Sequence, residues 1–566
     1  DIMICRCQHE PPYTERYVRW CERAGARAPP YSILNKQRYN FLGRFKLFFC
    51  KESVMKKVCY FAIACVTSCM HMYGNSQLVR QFSQDLVTLK RALPEEQIGR
   101  IELFEHIVGM PEKYPYENKD LQQYEPLVSI PHLVADKYFR TLFKNQSKTS
   151  PKKIVDVAGQ AIIAIVDKDG NEWQSGDAYL QTPKGRFAVG SFEIRSVEFL
   201  RKEWAKKAHP GDGRLNIIEG QYTEKRASSK FRKYVDIGAM QANIVNREAA
   251  FQVASNFNCL ESRDEPENGI INYVGGPAQG EEASLSAMPA AIYRMYFVPH
   301  AGVYGQFQKS INLLRNVKIP DVLGSFFAIT NGKILISYDN TYFNKPGDPR
   351  GLIDRGLGVK ILPMANKPLF LKENSKKEWD SSKALMSVQL GIHKNVQVTA
   401  GFSMPRPENI SDSEWNSKGL GIRSWTGSSL AVNDPNQIIT QIFTSAQNLK
   451  RLGRGTAWDD FAKMLLDAAY EGTVYAADLA GCKKLYLTLM GTGVFENDMS
   501  WVVNSIVKVK ELIIQSGMDV TLVVFDGKKD PEWDANKERI LDVVKESDGT
   551  YTIYNDQYPD GQIQQL

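Results

Sequence analysis

The chain has 566 residues, a net charge of +7, and 43% apolar and 24% charged side chains. Length alone allows roughly two to four domains with a self-sufficient core; composition excludes collagen-like, coiled-coil and wholly disordered chains, and the lack of an apolar run of about 18 residues excludes a polytopic membrane protein. Twelve Lys/Arg against five Asp/Glu lie in residues 1–57, and seven of the nine cysteines lie at or before Cys69; the rest of the chain is therefore neutral, and neither a basic nucleic-acid binder nor a disulfide framework is indicated.

In chain order, residues 1–54 mix Arg, Pro, aromatics and Cys without a period. They read as upstream translation or a disordered stretch, with Met55 as the expected start. Met55-Lys56-Lys57, the apolar run 58–66 and the small residues after it have the order of a signal peptide, and the run is too short to span a bilayer. Val66-Thr67-Ser68-Cys69 resembles a bacterial lipoprotein box. That resemblance implies a signal peptide over 55–69, lipidation at Cys69, export, and anchoring at the bacterial outer membrane or cell surface, with secretion as the alternative. Residues 70–150 read as a tether with a small helical region, where Leu78, Phe82, Leu86, Leu89 and Leu93 recur at helical spacing before Pro94. The polar stretch 145–153 reads as a linker.

From Ile154 the character changes. Residues 154–157 and 161–166 read as strands, 191–208 as a helix, 215–218 and 249–254 as strands, and 283–293 as a helix. Residues 340–380 and 403–428 are loop-rich and read as insertions. Helices are expected at 434–449 and 457–479, a buried strand at 484–490, a helix at 498–516 and another buried strand at 520–525. Apolar strands separated by helices predict an α/β fold with the sheet covered on both faces.

Four segments carry chemistry. In 487–495, reading LTLMGTGVF, a buried strand runs into a Gly-x-Gly turn and then a helix, the arrangement that brings backbone N–H groups close to a phosphate. The missing third glycine and the missing Gly-Lys-Ser/Thr exclude the dinucleotide fingerprint and the Walker loop. In 251–261, FQVASNFNCLE, a strand ends in amides and a Phe suited to a ribose or a base. Residues 275–282, GGPAQGEE, form a flexible loop ending in Glu281 and Glu282 before a helix, where carboxylates either cap the helix dipole or act as general acid and base. Asp460, Asp467, Glu471 and Asp478 fall within about 20° of one direction on a helix, so they form either a solvated stripe or the edge of a cleft. No metal or cofactor site is expected, because the body has no HxxxH or CxxC pair.

Together these segments resemble the macrodomain superfamily, most closely the macro-like ADP-ribosyl hydrolases that include a bacterial effector acting on ADP-ribosylated ubiquitin. The resemblance rests on 251–261, with Asn256 where the group more often has Gln, on Gln279-Gly280, on Tyr293-Arg294-Met295-Tyr296, on 468–473 (AAYEGT) and on 487–495. It implies a three-layer α/β/α domain over 151–566 with a mixed, largely parallel sheet and long loop insertions. The implied ligand is ADP-ribose, held by Ser255, Asn256, Phe257, Asn258, Gln279, Gly491, Thr492, Gly493, Val494 and Phe495. The implied activity is removal of ADP-ribose from modified protein side chains, with ubiquitin one candidate target, or else ADP-ribose binding without turnover. Asp467 and Asp478 match the family's aspartates by position upstream of the glycine turn. The Glu281-Glu282 pair is similar to the paired glutamates of poly(ADP-ribose) glycohydrolases, which makes Glu281 the third catalytic candidate. Membrane contact is expected only through the lipid anchor, and nucleic acid is not an expected partner.

Overall fold

A computed structural model describes residues 97–99 and, from 103 to 566, all but 113–138, 147–151, 157, 223–230, 262–268, 274–278, 301–302, 305–310, 318–326, 331–332, 337–351, 354–358, 362–378, 404–427, 450–453, 455–457, 494 and 526–530. The expected leader, the Cys69 anchor and the 78–93 helix lie outside the described residues, as does most of the two loop insertions. The described residues all belong to the unit Glu95–Leu566.

The centre of this unit is a twelve-stranded mixed sheet. In chain order the strands are β1 (Lys153–Val155), β2 (Ala161–Val166), β3 (Ala178–Thr182), β4 (Gly185–Ser196), β5 (Arg214–Gln221), β6 (Ala250–Ala254), β7 (Gln389–Gln397), β8 (Ile438–Thr444), β9 (Lys484–Thr488), β10 (Asp519–Val524), β11 (Tyr551–Asn555) and β12 (Gln562–Ile563). Across the sheet they run β1-β2-β3-β4-β7-β8-β6-β9-β10-β5-β11-β12. The stretch from β8 to β11 is parallel, with five couplings, and the flanks are antiparallel, with six. The sheet is thus mixed, as expected: the parallel core is extended on one side by a meander, β1 to β4, whose turns are too short for crossover helices.

The described helices of six or more residues are α1 (Leu103–Val108), α2 (Phe139–Gln146), α3 (Val197–Trp204), α4 (Ile237–Ala242), α5 (Gln279–Ser286), α6 (Met288–Tyr296), α7 (Ser381–Ser387), α8 (Trp458–Leu479), α9 (Met499–Lys508), α10 (Lys510–Ser516), α11 (Pro531–Asn536) and α12 (Glu538–Glu546). One layer packs around α8, which touches α3, α7, α9 and α10; the other is built from α4, α5, α6 and α1. Along β8, Gln441 donates to Ala283 O of α5 at 2.9 Å and Phe443 lies under Arg294 of α6, so the side chains of one strand face show which layer they meet.

Several elements differ from the expectation. Residues 438–444 form β8, not a helix; Ile438, Ile439, Ile442 and Phe443 fill a strand buried between β7 and β6, where β-branched and aromatic residues pack well on both faces. Residues 191–196 continue β4, and the helix begins only after Ser196, whose hydroxyl accepts from Phe199 N at 3.2 Å as an N-cap. The expected 498–516 helix breaks at Val509 into α9 and α10.

The expected boundary near 150 also moves. Phe139 and Phe143 of α2 stack edge-on against Tyr296 at 5.1 and 4.9 Å, Thr182 Oγ1 donates to Ile107 O at 2.7 Å, and Gln146 closes a two-way amide clamp on Val155 at 2.6 and 2.8 Å. Described residues 103–146 are therefore packed into the same core as the sheet rather than forming a tether.

Candidate functional site

Strands β8, β6 and β9 are parallel, so their carboxyl ends share one edge of the sheet. β6 stays paired with β8 as far as Ala254–Thr444. Its pairing with β9 holds only at Ala250–Leu485 and Phe251–Tyr486, after which the two strands part. The backbone groups left by that parting are taken up by side chains. Gln279 Oε1 accepts from Ala254 N at 2.9 Å, and its Nε2 donates to Gln252 O at 3.0 Å. On the other lip, Gln252 Oε1 accepts from Thr488 N at 3.2 Å. The Tyr470 hydroxyl donates to Thr488 O at 2.6 Å and accepts from Met490 N at 3.0 Å. Every one of these backbone groups has a side-chain partner, so the crevice is built into the fold rather than frayed open. Open α/β sheets bind ligands in such a crevice beyond the carboxyl ends of the strands.

The glycine turn lies at this edge. Gly491 has φ +78, and a Cβ there would come within 2.7 Å of Ala446 and 2.8 Å of the Asn497 amide. Asn497 Nδ2 bridges Gln447 O at 2.7 Å and Gly491 O at 3.2 Å, tying the turn to the loop after β8. Leu449 N donates to Phe495 O at 2.9 Å, and Thr492 Oγ1 donates back to Leu489 O at 3.2 Å. Open space faces Gly493 where a side chain would project. Around this turn four side-chain polar atoms are buried without a hydrogen-bond partner: Thr444 Oγ1, Gln447 Oε1, Thr488 Oγ1 and Asn497 Oδ1. Buried polar groups are normally paired, so a cluster of orphans at a strand edge marks a place where something else supplies the partners.

The loop after β6 forms a wall rather than an open contact surface. Asn256 Nδ2 donates to Leu260 O at 2.8 Å and Asn258 Oδ1 accepts from Leu260 N at 3.2 Å, so both amides shape the loop. Phe257 is 3% exposed and sits in the core, where it is unavailable for stacking. Ser255 Oγ donates to its neighbour's carbonyl, Asn256 O, at 3.1 Å. Behind the loop lies the fully buried Arg294. It donates to Cys259 O at 3.3 Å, to Ser284 Oγ at 3.0 Å and to Gln441 Oε1 at 3.3 Å, and pairs with Glu261 at 3.5 Å. Arg294 Nη1 also meets His393 Nδ1 at 3.2 Å, while His393 Nε2 meets Val189 O at 2.7 Å. With a donor on one nitrogen and a carbonyl on the other, His393 is held as the neutral tautomer protonated on Nε2. Burial and then the Arg294 charge push its pKa well below the usual value. Burial pushes the Glu261 carboxyl and the Cys259 thiol up, which leaves Cys259 an inert core thiol.

The three carboxylate candidates part company. Helix α5 begins directly against the end of β6: a Cβ on Gly280 would lie 1.6 Å from Ala254 O, so only glycine fits. This sets Glu281 and Glu282 in the first turn of α5, just after the Gln279 that binds the end of β6. Asp467 and Asp478 are not brought there. Helix α8 runs antiparallel to β9. Tyr470 lies beside the carboxyl end of the strand, whereas Asp478 lies at its start, where Cys482 N donates to Ala477 O. The Asp478 carboxylate accepts from Trp204 Nε1 at 2.6 Å and pairs with Lys207 at 2.8 Å. Asp467 pairs with Lys508 at 2.6 Å and accepts from Ser505 at 2.7 Å. Glu471 pairs with Arg201, and Asp460 meets Lys463 at 3.5 Å. Three of the four pairs join α8 to its neighbours, and Asp467 and Glu471 help line a cavity of about 370 Å³ with Trp204, Leu385 and Leu512. Asp467 and Asp478, expected as catalytic candidates upstream of the glycine turn, are thus held in ion pairs with Lys508 and Lys207.

Of the other expected contacts, Gln279 is committed to the β6 backbone, Gly491, Thr492, Gly493 and Phe495 form the turn, and Val494 lies outside the described residues. Tyr470, Gln447, Asn497 and Arg294 are not among the expected site residues. Tyr470 stands inside the 468–473 motif and Arg294 inside the 293–296 motif, signals in plain view; nothing local marks Gln447 or Asn497. Among the described residues no group of three or more His, Cys, Asp and Glu is arranged to hold a metal ion.

No protein-family model and no curated protein matches the chain. Among solved structures it is similar to the poly(ADP-ribose) glycohydrolase of Thermomonospora curvata, at 13% identity over 62% of this chain and 85% of that one, with a TM-score of 0.30. It is likewise similar to the poly(ADP-ribose) glycohydrolase of Deinococcus radiodurans in complex with ADP-ribose, at 13% identity over 63% of this chain and 94% of that one, with a TM-score of 0.28.

Proposed function

We propose that the crevice between β6 and β9 holds an ADP-ribose unit and that the protein is an ADP-ribosyl hydrolase acting on modified protein side chains. One observation carries the reading. Four motifs far apart in sequence, 251–261, Gln279-Gly280, 468–473 and 487–495, meet at this crevice through the Gln252, Gln279 and Tyr470 hydrogen bonds and through Gln252 Nε2, which lies 3.3 Å from Thr473 Oγ1. The orphaned buried polar atoms and the Gly491 turn beside them suit a diphosphate and its ribose hydroxyls.

In the reaction the bond between the anomeric carbon and the protein side chain breaks as water adds to that carbon. The transition state is oxocarbenium-like, so a carboxylate at hand stabilises charge, takes the proton of the attacking water and passes it to the side-chain atom that departs with the bonding electron pair. Glu281 takes that role, because it lies in the first turn of the helix that abuts the end of β6 next to Gln279. The acceptor is a protein side chain, ubiquitin being one candidate target. Export and lipid anchoring at Cys69 complete the proposal; the mass of the processed N-terminal peptide tests them, and an unlipidated Cys69 overturns the anchor.

Calorimetry with ADP-ribose and an assay of ADP-ribose release from a modified protein test the core reading. Binding together with release supports it, and no binding at millimolar ADP-ribose overturns it. The burial of Glu281, at 3% exposure, favours a second reading, an ADP-ribose-binding module without turnover; binding with no release from any modified acceptor selects it.

A further inference from the structure

The parting of β6 from β9 requires substitutes for a sheet ladder, and the substitutes differ in kind on the two lips. On the β6 lip a single amide, Gln279, serves one acceptor and one donor. On the β9 lip the Tyr470 hydroxyl does the same for Thr488 O and Met490 N, while Gln252 reaches across to Thr488 N. Thr488 is the last residue of β9, and Met490 is the residue before Gly491. One oxygen on α8 therefore spans the point where the strand becomes the turn. We propose that Tyr470 is a positioning residue, whose hydroxyl replaces the lost β6 ladder at the end of β9 and thereby aims the 491–493 turn at the ligand. This rests on the functional reading above.

The chemistry suits the task. A phenol both donates and accepts through one atom, so it can close two adjacent backbone groups that an amide would have to straddle. Tyr470 is fully buried, and burial pushes its pKa well above the ordinary tyrosine value, so the proton donated to Thr488 O stays in place across the working pH range. Asn497, which follows the turn in sequence, anchors Gly491 O, so the entry of the glycine turn is held from α8 through Met490 and from Asn497 through Gly491.

Tyr470→Phe keeps the ring and removes only that oxygen. Because the turn's grip on the diphosphate is the same in ground and transition states, the loss falls on binding rather than on turnover. Losing one buried two-way hydrogen bond is expected to raise the Kd for ADP-ribose and the KM about tenfold, with kcat within about twofold of wild type. Amide hydrogen exchange should quicken over residues 488–493 and remain unchanged in the strand core 485–487. Wild-type affinity in Tyr470→Phe overturns the proposal, and so does kcat falling in step with affinity. If the variant does not fold, Gln279→Met removes the matching bonds on the opposite lip and should show the same rise in Kd; unchanged affinity there overturns the proposal. If the wild-type protein itself fails to bind ADP-ribose, the functional reading falls. The exchange pattern then decides the positioning role by itself: confined acceleration supports it and acceleration spread over the whole sheet overturns it.

Discussion

Two regions of this molecule concentrate polar chemistry, and they handle it in opposite ways. At the crevice between β6 and β9, polar atoms are buried and either bound to backbone or left without a partner, as Thr444 Oγ1, Thr488 Oγ1, Gln447 Oε1 and Asn497 Oδ1 are. Along the outer seam of α8, each of the four acidic side chains meets a cation: Asp460 with Lys463, Asp467 with Lys508, Glu471 with Arg201, Asp478 with Lys207. A seam of paired charges contributes modestly to stability. Unsatisfied buried groups cost free energy in the empty protein and recover it when a ligand supplies partners. The contrast separates a site from a surface better than the density of carboxylates does.

The strongest way to break this contrast is to remove the carboxylate assigned to the crevice. Glu281→Gln should lower ADP-ribose release at least about 100-fold while ADP-ribose still binds; the same substitution at Asp467 should leave release within about twofold, and equal losses at both sites would erase the distinction. Gly491→Ala comes next. A side chain at φ +78 meets Ala446 and Asn497 at under 3 Å, so we expect a stability loss of about 2–3 kcal/mol in denaturant titration, together with weakened ADP-ribose binding. A fully stable, tightly binding variant would mean that the turn tolerates a different shape.

The wall behind the crevice also differs from the seam in its response to pH. His393 is neutral in the fold, facing Arg294, the Val189 carbonyl and the rings of Phe192 and Tyr293, with Glu261 on the far side of Arg294. Its folded pKa lies well below 6.5, so the unfolded chain takes up the proton first as pH falls. Stability is full above about pH 6.5 and declines below it by up to about 1.4 kcal/mol per pH unit from this group. Urea titrations at pH 7.5 and 5.5 should show the decline, and His393→Gln should flatten it; an equally steep decline in the variant assigns the effect elsewhere.

The seam should yield the smallest effects. Asp478→Asn keeps an acceptor for Trp204 and loses the charge facing the half-exposed Lys207, a cost of about 1 kcal/mol. Lys508→Met, at a mostly exposed lysine, should cost under about 1 kcal/mol. Neither should change ADP-ribose affinity in calorimetry, and a large change in either would draw the seam into the site.

Local pattern was enough for the strand-turn-helix of 484–508 and for the β6 strand with the loop after it, because apolar runs, turn glycines and helix starts are set by neighbours a few residues away. The long apolar stripe of α8 was equally legible. Strand β8 was not, since an apolar stretch of that length suits a buried helix or strand alike until its sheet neighbours are known. The catalytic candidates could not be ranked for a related reason. The partner of Asp478 lies 271 positions away and that of Glu471 270, so whether a carboxylate is engaged or available is a long-range fact. The sequence by itself determined an α/β chain with a glycine turn at the end of a buried strand. Only the tertiary structure decided that β6 and β9 part beside that turn, that α5 begins against the end of β6, and that the acidic stripe is ion-paired, because each depends on which distant segments the fold packs together.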